Sequence, residues 1–386
     1  MRVLAACSLG GAGHLQPLVP FLDEARRHGH ETLVVCPPAM TSLVEDTGHR
    51  WWAGDEPPEA AVRPIREQLP ILPAEEASVL GNRELFGRLA TTAMLPAVRQ
   101  VVRQWQPDVV LRDPCEYATA VVAPPLGIPT AQVAIGLAQV EWGSIAAAEP
   151  ALEAHRQGLV HELCHSPYLT RFPPSLDASP FPDTRRFREP VSREPNVLPD
   201  WWDGSEAPLV YLTFGTVLGA MTIADGVYRA ALDAVAGLDA RVLLTVGGRY
   251  DPGRLRDVPE HVHVERWVDQ ADVLGVADLV VCHGGSGTTF GALAAGVPIV
   301  VVPMFADQFA NGPRVVQAGA GLVVKTSDGV NGSRRPPGSG DAGHIRRAIE
   351  TVLSEPSYRR AAMAVGAEME AAPAANMVLE ALLLRS

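Results

Sequence analysis

The amino-acid sequence predicts two α/β domains, each a doubly wound parallel sheet, facing each other across a cleft. Three observations carry this expectation. Apolar strand-like runs alternate with amphipathic helix-like runs from residue 2 onward, the pattern of parallel strands joined by helical crossovers. The alternation stops in a proline-rich stretch and restarts at Leu209. Each half also carries a glycine-rich turn after a strand-like run, Gly10 to His14 in one and Gly284 to Thr289 in the other. In such sheets ligands sit beyond the carboxyl ends of strands, where these turns fall.

The first half opens with a strand, Arg2 to Cys7. An amphipathic helix follows from Leu15 to Arg27, with Pro17 near its start, where proline is tolerated. Gly29 stops it, and Glu31 to Cys36 forms the second strand. Pro107 to Asp113 and "GIPTAQVAI" (Gly127 to Ile135) supply two more buried strands. From Ser166 to Asp203 prolines exclude a core helix or a central strand, so this stretch reads as a loop-rich tail and linker. The domains are accordingly 1–203 and 204–386. In the second half the strands are Leu209 to Gly215, Arg241 to Gly247, His261 to Val264, Ala277 to Cys282 and a run within Gly296 to Met304, with a helix from Met221 to Gly237. Thr326 to Asp341 reads as a flexible insertion. Helix resumes near Gly343, and the apolar Ala374 to Leu384 is a terminal helix expected to dock back on the first domain.

Bulk properties exclude several classes. The chain has 386 residues, is 47% hydrophobic and carries a formal net charge of -12, which attracts neither nucleic acid nor an anionic membrane. No run approaches the roughly eighteen apolar residues of a membrane helix, and the N-terminal apolar run is too short for a signal peptide. The five cysteines are scattered and odd in number, with no zinc spacing and no disulfide framework. The expected compartment is the cytoplasm. The sequence is as compatible with a homodimer as with a monomer.

"HELCH" (His161 to His165) matches His-Glu-x-x-His, the zinc peptidase pattern. The context opposes it, because Ser166-Pro167 ends the helix at once and such a short pattern arises by chance. No metal is expected here. "HGGSGTT" (His283 to Thr289) carries more weight. A glycine turn between strand and helix offers backbone N–H groups and a helix N-terminus to an anion. Ser286, Thr288 and Thr289 can add hydroxyls, and His283 a further donor, charge-assisted if protonated. The turn lacks the lysine of a P-loop. Alone it is also consistent with an ordinary turn beside a structural histidine. Downstream, Asp307-Gln308 pairs a carboxylate with an amide, which suits sugar hydroxyls. Upstream, Trp267 offers an indole face for a base.

Together these residues resemble the nucleotide-sugar-dependent glycosyltransferases of GT-B fold that act on antibiotics and other natural products. "GHLQPLVPFLDEARRHGHE" resembles that family's opening block, "HGGSGTTFGALAAGVPIVVVPMFADQ" its donor signature and "SYRRAA" its terminal helix region. The resemblance spans essentially the whole chain. It implies an acceptor-binding first domain and a donor-binding second domain. His283, Gly285, Ser286, Gly287 and Thr288 would hold the donor diphosphate, reached also by Gly215 and Thr216. Trp267 would stack on the base, the Val268 backbone would read its edge, and Asp307 and Gln308 would hold the sugar. His14 would be the general base and Asp113 its orienting carboxylate. Where the family shows valine-proline, this chain has Val268-Asp269, so its base pocket is expected to differ.

The implied reaction is inverting transfer of a sugar, a deoxysugar by expectation, from a dTDP- or UDP-linked donor to a lipophilic aglycone. No Asp-x-Asp motif is present, so neither metal nor cofactor is expected. A sugar-nucleotide epimerase or hydrolase, or a non-catalytic binding protein, would keep the donor turn. The segments Trp51 to Leu95 and "GLAQVEWGS" and the proline-rich stretch look more like walls for an apolar acceptor.

Overall fold

A computed structural model describes residues 1–9, 11–69, 71–189, 196–305, 307–326 and 335–383. Thirteen strands are described, all parallel within two sheets. The first sheet contains β1 (Arg2–Ala6), β2 (Glu31–Cys36), β3 (Trp51–Ala53), β4 (Val109–Arg112), β5 (Thr130–Val133), β6 (Tyr168–Thr170) and β7 (Thr184–Arg186). Their order is β3-β2-β1-β4-β5-β6-β7. The second contains β8 (Leu209–Thr213), β9 (Arg241–Thr245), β10 (Val262–Glu265), β11 (Leu279–Cys282), β12 (Ile299–Val301) and β13 (Gly321–Val323), in the order β10-β9-β8-β11-β12-β13.

Consecutive residues of β4, β8, β11 and β12 are all buried. That follows from covering both faces of a parallel sheet, and it explains the unbroken apolar runs in the sequence. Both sheets reverse direction after their first three strands. The switch points fall between β1 and β4 in one sheet and between β8 and β11 in the other.

By internal contacts the chain divides into residues 1–190 with 371–386, and residues 191–370. The sequence-based boundary at 203/204 shifts because the segment ahead of it is tied to the second unit. The Asn196 N–H donates to Asp272 Oδ1 at 2.7 Å and Trp202 Nε1 to the His261 carbonyl at 3.0 Å. The terminal helix Ala375–Leu383 belongs to the first unit's core, where Ala375, Val378, Leu379 and Leu382 pack with Phe21, Leu22 and Phe187. Arg188 seats its approach by donating its N–H to the Pro373 carbonyl at 2.9 Å.

Three other expectations change. The proline-rich segment contains β6, which pairs with β5 on one side and β7 on the other. Its three residues are free of proline, and Pro167 stands just before them, where its carbonyl accepts from Gln132 N–H at 2.9 Å. The prolines bound the strand rather than interrupt it. The first helix starts earlier than Leu15, as a turn at Ala12–Leu15, a 3-10 turn at Gln16–Leu18 and a helix at Val19–Arg27. Within the expected insertion, residues 327–334 lie outside the described residues. Its end is anchored, with Arg335 paired to the buried Asp341 at 2.9 Å ahead of the helix Ala342–Ser354.

The terminal helix yields a stability test. Leu379 is 3% exposed, so Leu379→Ala should cost about 2–4 kcal/mol. Chemical denaturation of the full chain checks it, and a loss below about 0.5 kcal/mol would contradict the packing described.

Candidate functional site

In the second unit, β11 delivers His283 to the sheet edge, and Gly284 turns the chain there with φ at +90°. A Cβ at Gly284 would lie 2.7 Å from Val301 Cγ1, so both conformation and space require glycine. Gly285 then begins the helix Ser286–Ala294 with no side-chain cap. The first-turn N–H groups therefore lack helical partners and concentrate positive potential.

The His283 ring is clamped between two glycines. A Cβ at Gly285 would stand 2.4 Å from His283 Nε2, and one at Gly215, where φ is +76°, would stand 2.9 Å from Cε1. Gly215 follows β8 and His283 follows β11, so the clamp occupies the switch point of the second sheet. His283 Nδ1 is buried with no hydrogen-bond partner among the described residues. Burial lowers the imidazole pKa to about 4, with Asp307 opposing the shift. The ring is neutral at pH 7, so it offers an uncharged N–H rather than the charge-assisted donor the sequence also allowed.

Ser286 and Asp307 come together. Ser286 Oγ donates to Asp307 Oδ2 at 2.8 Å, and Asn311 Nδ2 donates to the same oxygen at 3.0 Å and to the Gly284 carbonyl at 2.8 Å. Asn311, missed in the sequence, thus pins the turn from one helical turn beyond Asp307. Its only sequence signal was the i, i+4 spacing in "DQFAN". Gln308 is 2% exposed, and its Oε1 accepts from Met304 and Phe305 N–H at 2.8 and 3.0 Å. Gly287 and Thr216 are exposed and Thr288 is half-buried.

Trp267 is 66% exposed. Neither it, Val268 nor Thr216 hydrogen-bonds the His283 cluster among the described residues. Asp269, the departure from valine-proline, caps the helix Gln270–Leu274 by accepting from Ala271 N–H at 3.0 Å. Its φ of -62° is one proline would adopt. The aspartate keeps that backbone path and adds a cap.

In the first unit, His14 follows β1 and Asp113 follows β4, again at the switch point. His14 Nδ1 and Asp113 Oδ1 are 3.2 Å apart. A carboxylate only accepts, so Nδ1 carries the proton of this bond. Asp113 is fully buried and also accepts from Ser8 N–H at 3.1 Å and Cys115 N–H at 2.7 Å. Arg112, fully buried, donates to the carbonyls of Asp113, Pro114 and Glu116 and to Gln132 Oε1, all between 3.0 and 3.2 Å. This arginine holds the loop that carries the carboxylate, a role hidden in the sequence because it reads as one more strand residue. Phe86 stacks on the His14 ring, with centroids 5.9 Å apart. Phe86 lies in a π-helical stretch, Gly81–Ala90, inside the segment expected to wall an acceptor. Buried acids surround this unit's loops, and burial raises Glu116 to about 7 and Glu141 to about 8.

"HELCH" forms a seven-residue helix, Leu159–His165, closed by Ser166 N–H donating to the Glu162 carbonyl. Glu162 pairs with Arg156 at 2.8 Å, and the rings of His161 and His165 stack 4.1 Å apart. They line an open cavity of about 720 Å³ with Val109, Thr130, Asp183 and Arg185. Val109, Thr130 and Asp183 mark the amino ends of β4, β5 and β7, the opposite edge of the sheet from His14 and Asp113.

Residues 71–215 match the N-terminal domain, and residues 229–384 the C-terminal domain, of erythromycin biosynthesis protein CIII-like proteins. The chain is 31% identical over 392 residues to L-demethylnoviosyl transferase of Streptomyces niveus, covering 99% of this chain and 97% of that one. It is 32% identical over 403 residues to elloramycin glycosyltransferase ElmGT of Streptomyces olivaceus, covering 97% and 94%. The chain belongs to the CIII-like family. It is a glycosyltransferase. Among solved structures, the glycosyltransferase SnogD from Streptomyces nogalater superposes with a TM-score of 0.76 at 26% identity, over 100% of this chain and 99% of that one. Spinosyn rhamnosyltransferase SpnG gives 0.78 at 24%, over 99% and 100%, a likeness of fold. SpnG has also been solved with thymidine diphosphate and with spinosyn aglycone. The fold of this CIII-like glycosyltransferase is GT-B.

The loop held by Arg112 provides a test. A lysine ammonium cannot meet three carbonyls and Gln132 at once. Arg112→Lys should therefore cost about 1–3 kcal/mol in chemical denaturation, and an unchanged midpoint would contradict this role.

Proposed function

We propose that this glycosyltransferase moves a sugar from a nucleoside diphosphate donor to a hydroxyl of an apolar natural-product acceptor, with inversion and without metal. The observation that carries this reading is the glycine-clamped, neutral His283 imidazole packed against the uncapped start of the helix Ser286–Ala294. An unsatisfied buried ring nitrogen beside free amides is costly unless an anion completes it. A diphosphate fits in charge, and the thymidine diphosphate held by SpnG favours dTDP as its carrier.

In this reading the second unit holds the donor. The amides of Ser286, Gly287 and Thr288, the His283 N–H and the Gly215-Thr216 turn receive the diphosphate. As the bond from the anomeric carbon to the leaving phosphate oxygen breaks, negative charge grows on the diphosphate. Preoriented amides and the helix dipole stabilise it. Ser286 Oγ is committed to Asp307, so its contribution comes from its backbone. Asp307 Oδ1 and Gln308 Nε2 meet the sugar hydroxyls, since their partner atoms are engaged. Trp267 supplies an exposed indole for the base, with the Val268 backbone at its edge.

The first unit supplies the base. Asp113 holds the proton of His14 on Nδ1, which directs Nε2 to take the proton of the acceptor hydroxyl. The acceptor oxygen attacks the anomeric carbon opposite the diphosphate, and the configuration inverts. The imidazolium formed on His14 is stabilised by the buried carboxylate at 3.2 Å. Phe86 orders the outer face of the ring and offers apolar surface to an aglycone.

Two variants should separate the units. His14→Ala should lower kcat by about a hundredfold or more and leave nucleoside diphosphate affinity unchanged. His283→Ala should weaken diphosphate binding by about tenfold or more, read by calorimetry. The reverse split would refute the assignment. The dyad itself is tested by non-additivity. His14→Ala combined with Asp113→Asn should be little slower than His14→Ala alone, because residues acting as one unit do not lose rate twice. Multiplying losses would give Asp113 a separate role.

A further inference from the structure

We propose that His14, Asp113 and Cys115 form a zinc site whose occupation switches transfer off. The inhibitory part rests on the reading of His14 as the base. A ring nitrogen of His14, a carboxylate oxygen of Asp113 and the Cys115 sulfur all lie within 4.8 Å of one another. His14 Nδ1 and Asp113 Oδ1 are 3.2 Å apart. Ligands about 2.0–2.3 Å from a tetrahedral zinc ion stand roughly 3.3–3.8 Å from each other. The His14–Asp113 pair at 3.2 Å already spans close to such an edge, and the sulfur stands within 4.8 Å of a ligand atom of each.

The donor set is selective. One imidazole, one carboxylate and one thiolate suit Zn²⁺, whereas Mg²⁺ and Ca²⁺ take oxygen ligands. The turn after β4 brings the three together, because Cys115 N–H donates to Asp113 Oδ1 at 2.7 Å and sets the thiol beside the carboxylate. Asp113 is fully buried and Cys115 is 9% exposed, while the His14 side chain is 18% exposed. The ion enters from the histidine side, where water fills the fourth position.

Binding releases one proton to solvent, from the thiol, while the single imidazole proton moves from Nδ1 to Nε2, with no change of oxidation state. With zinc on Nδ1, the remaining imidazole proton must sit on Nε2. The lone pair that takes the acceptor's proton is then lost. Zinc thus blocks the reaction by fixing the wrong tautomer, without touching the donor residues.

Co²⁺ reports the site independently of turnover. The full-length protein titrated with Co²⁺ should take up one equivalent and show a thiolate-to-metal charge-transfer band in the near ultraviolet. Zn²⁺ should remove that band and inhibit transfer, and a chelator should restore activity in full. Cys115→Ser and Cys115→Ala both keep the backbone bond to Asp113. Each should lose the band and raise the zinc concentration for half-inhibition about tenfold or more, with metal-free turnover unchanged. An absent band in the parent protein overturns the site. So does zinc sensitivity that survives in both Cys115 variants and vanishes in His161→Ala. A thiolate band without inhibition leaves the metal site standing but overturns the switch, and with it the reading of His14 as the base.

Discussion

Both functional clusters depend on one constraint, the reversal of strand order in a buried parallel sheet. Where neighbouring strands send their connections to opposite sides, a gap opens at their carboxyl ends that no crossover fills. β1 and β4 flank that gap in the first sheet, and β8 and β11 in the second. His14 and Asp113 are separated by 99 residues, yet Asp113 directly after β4 and His14 on the helical turn that follows β1 meet at the gap. Gly215 and His283 meet in the same way in the second sheet. The rest of each unit, from the buried strands to the terminal helix, fixes where those ends lie.

The two gaps are furnished for opposite charges. In the first, a carboxylate is buried completely and paid for by backbone N–H groups of Ser8 and Cys115 and by the imidazole. It is suited to stabilise a proton gained by His14. In the second, the available groups are amides, a helix start and an imidazole that burial keeps neutral. In the proposed reading, that arrangement would receive an anion without carrying a full positive charge of its own. In the same reading, a neutral donor would hold a diphosphate less tightly than an arginine, which would favour release of the product diphosphate after transfer.

Much of this was legible from patterning. Glu31–Cys36 was placed at its bounds because its apolar run ends cleanly at Gly29 and Pro37. The turn at His283 was legible because glycines at a strand–helix junction admit few alternatives. β6 was hidden, since five proline-free residues between Pro167 and Pro173 leave no periodicity to see. Arg112 and Asn311 were hidden for another reason. Both act through hydrogen bonds to backbone carbonyls, and such partners have no residue-type signature. The commitment of Ser286 to Asp307, 21 residues away, is a tertiary fact of the same kind. The boundary near residue 190 depends on Asn196 and Trp202 finding partners in the second unit, which composition alone could not reveal.

The account turns on the His283 turn as a diphosphate site, and a crystal structure of the protein with thymidine diphosphate tests that directly. The account predicts a phosphate oxygen about 2.7–3.2 Å from a His283 ring nitrogen and from at least one amide of Ser286, Gly287 or Thr288. A diphosphate bound elsewhere, or one seated at this turn without contact to the His283 ring, would contradict it.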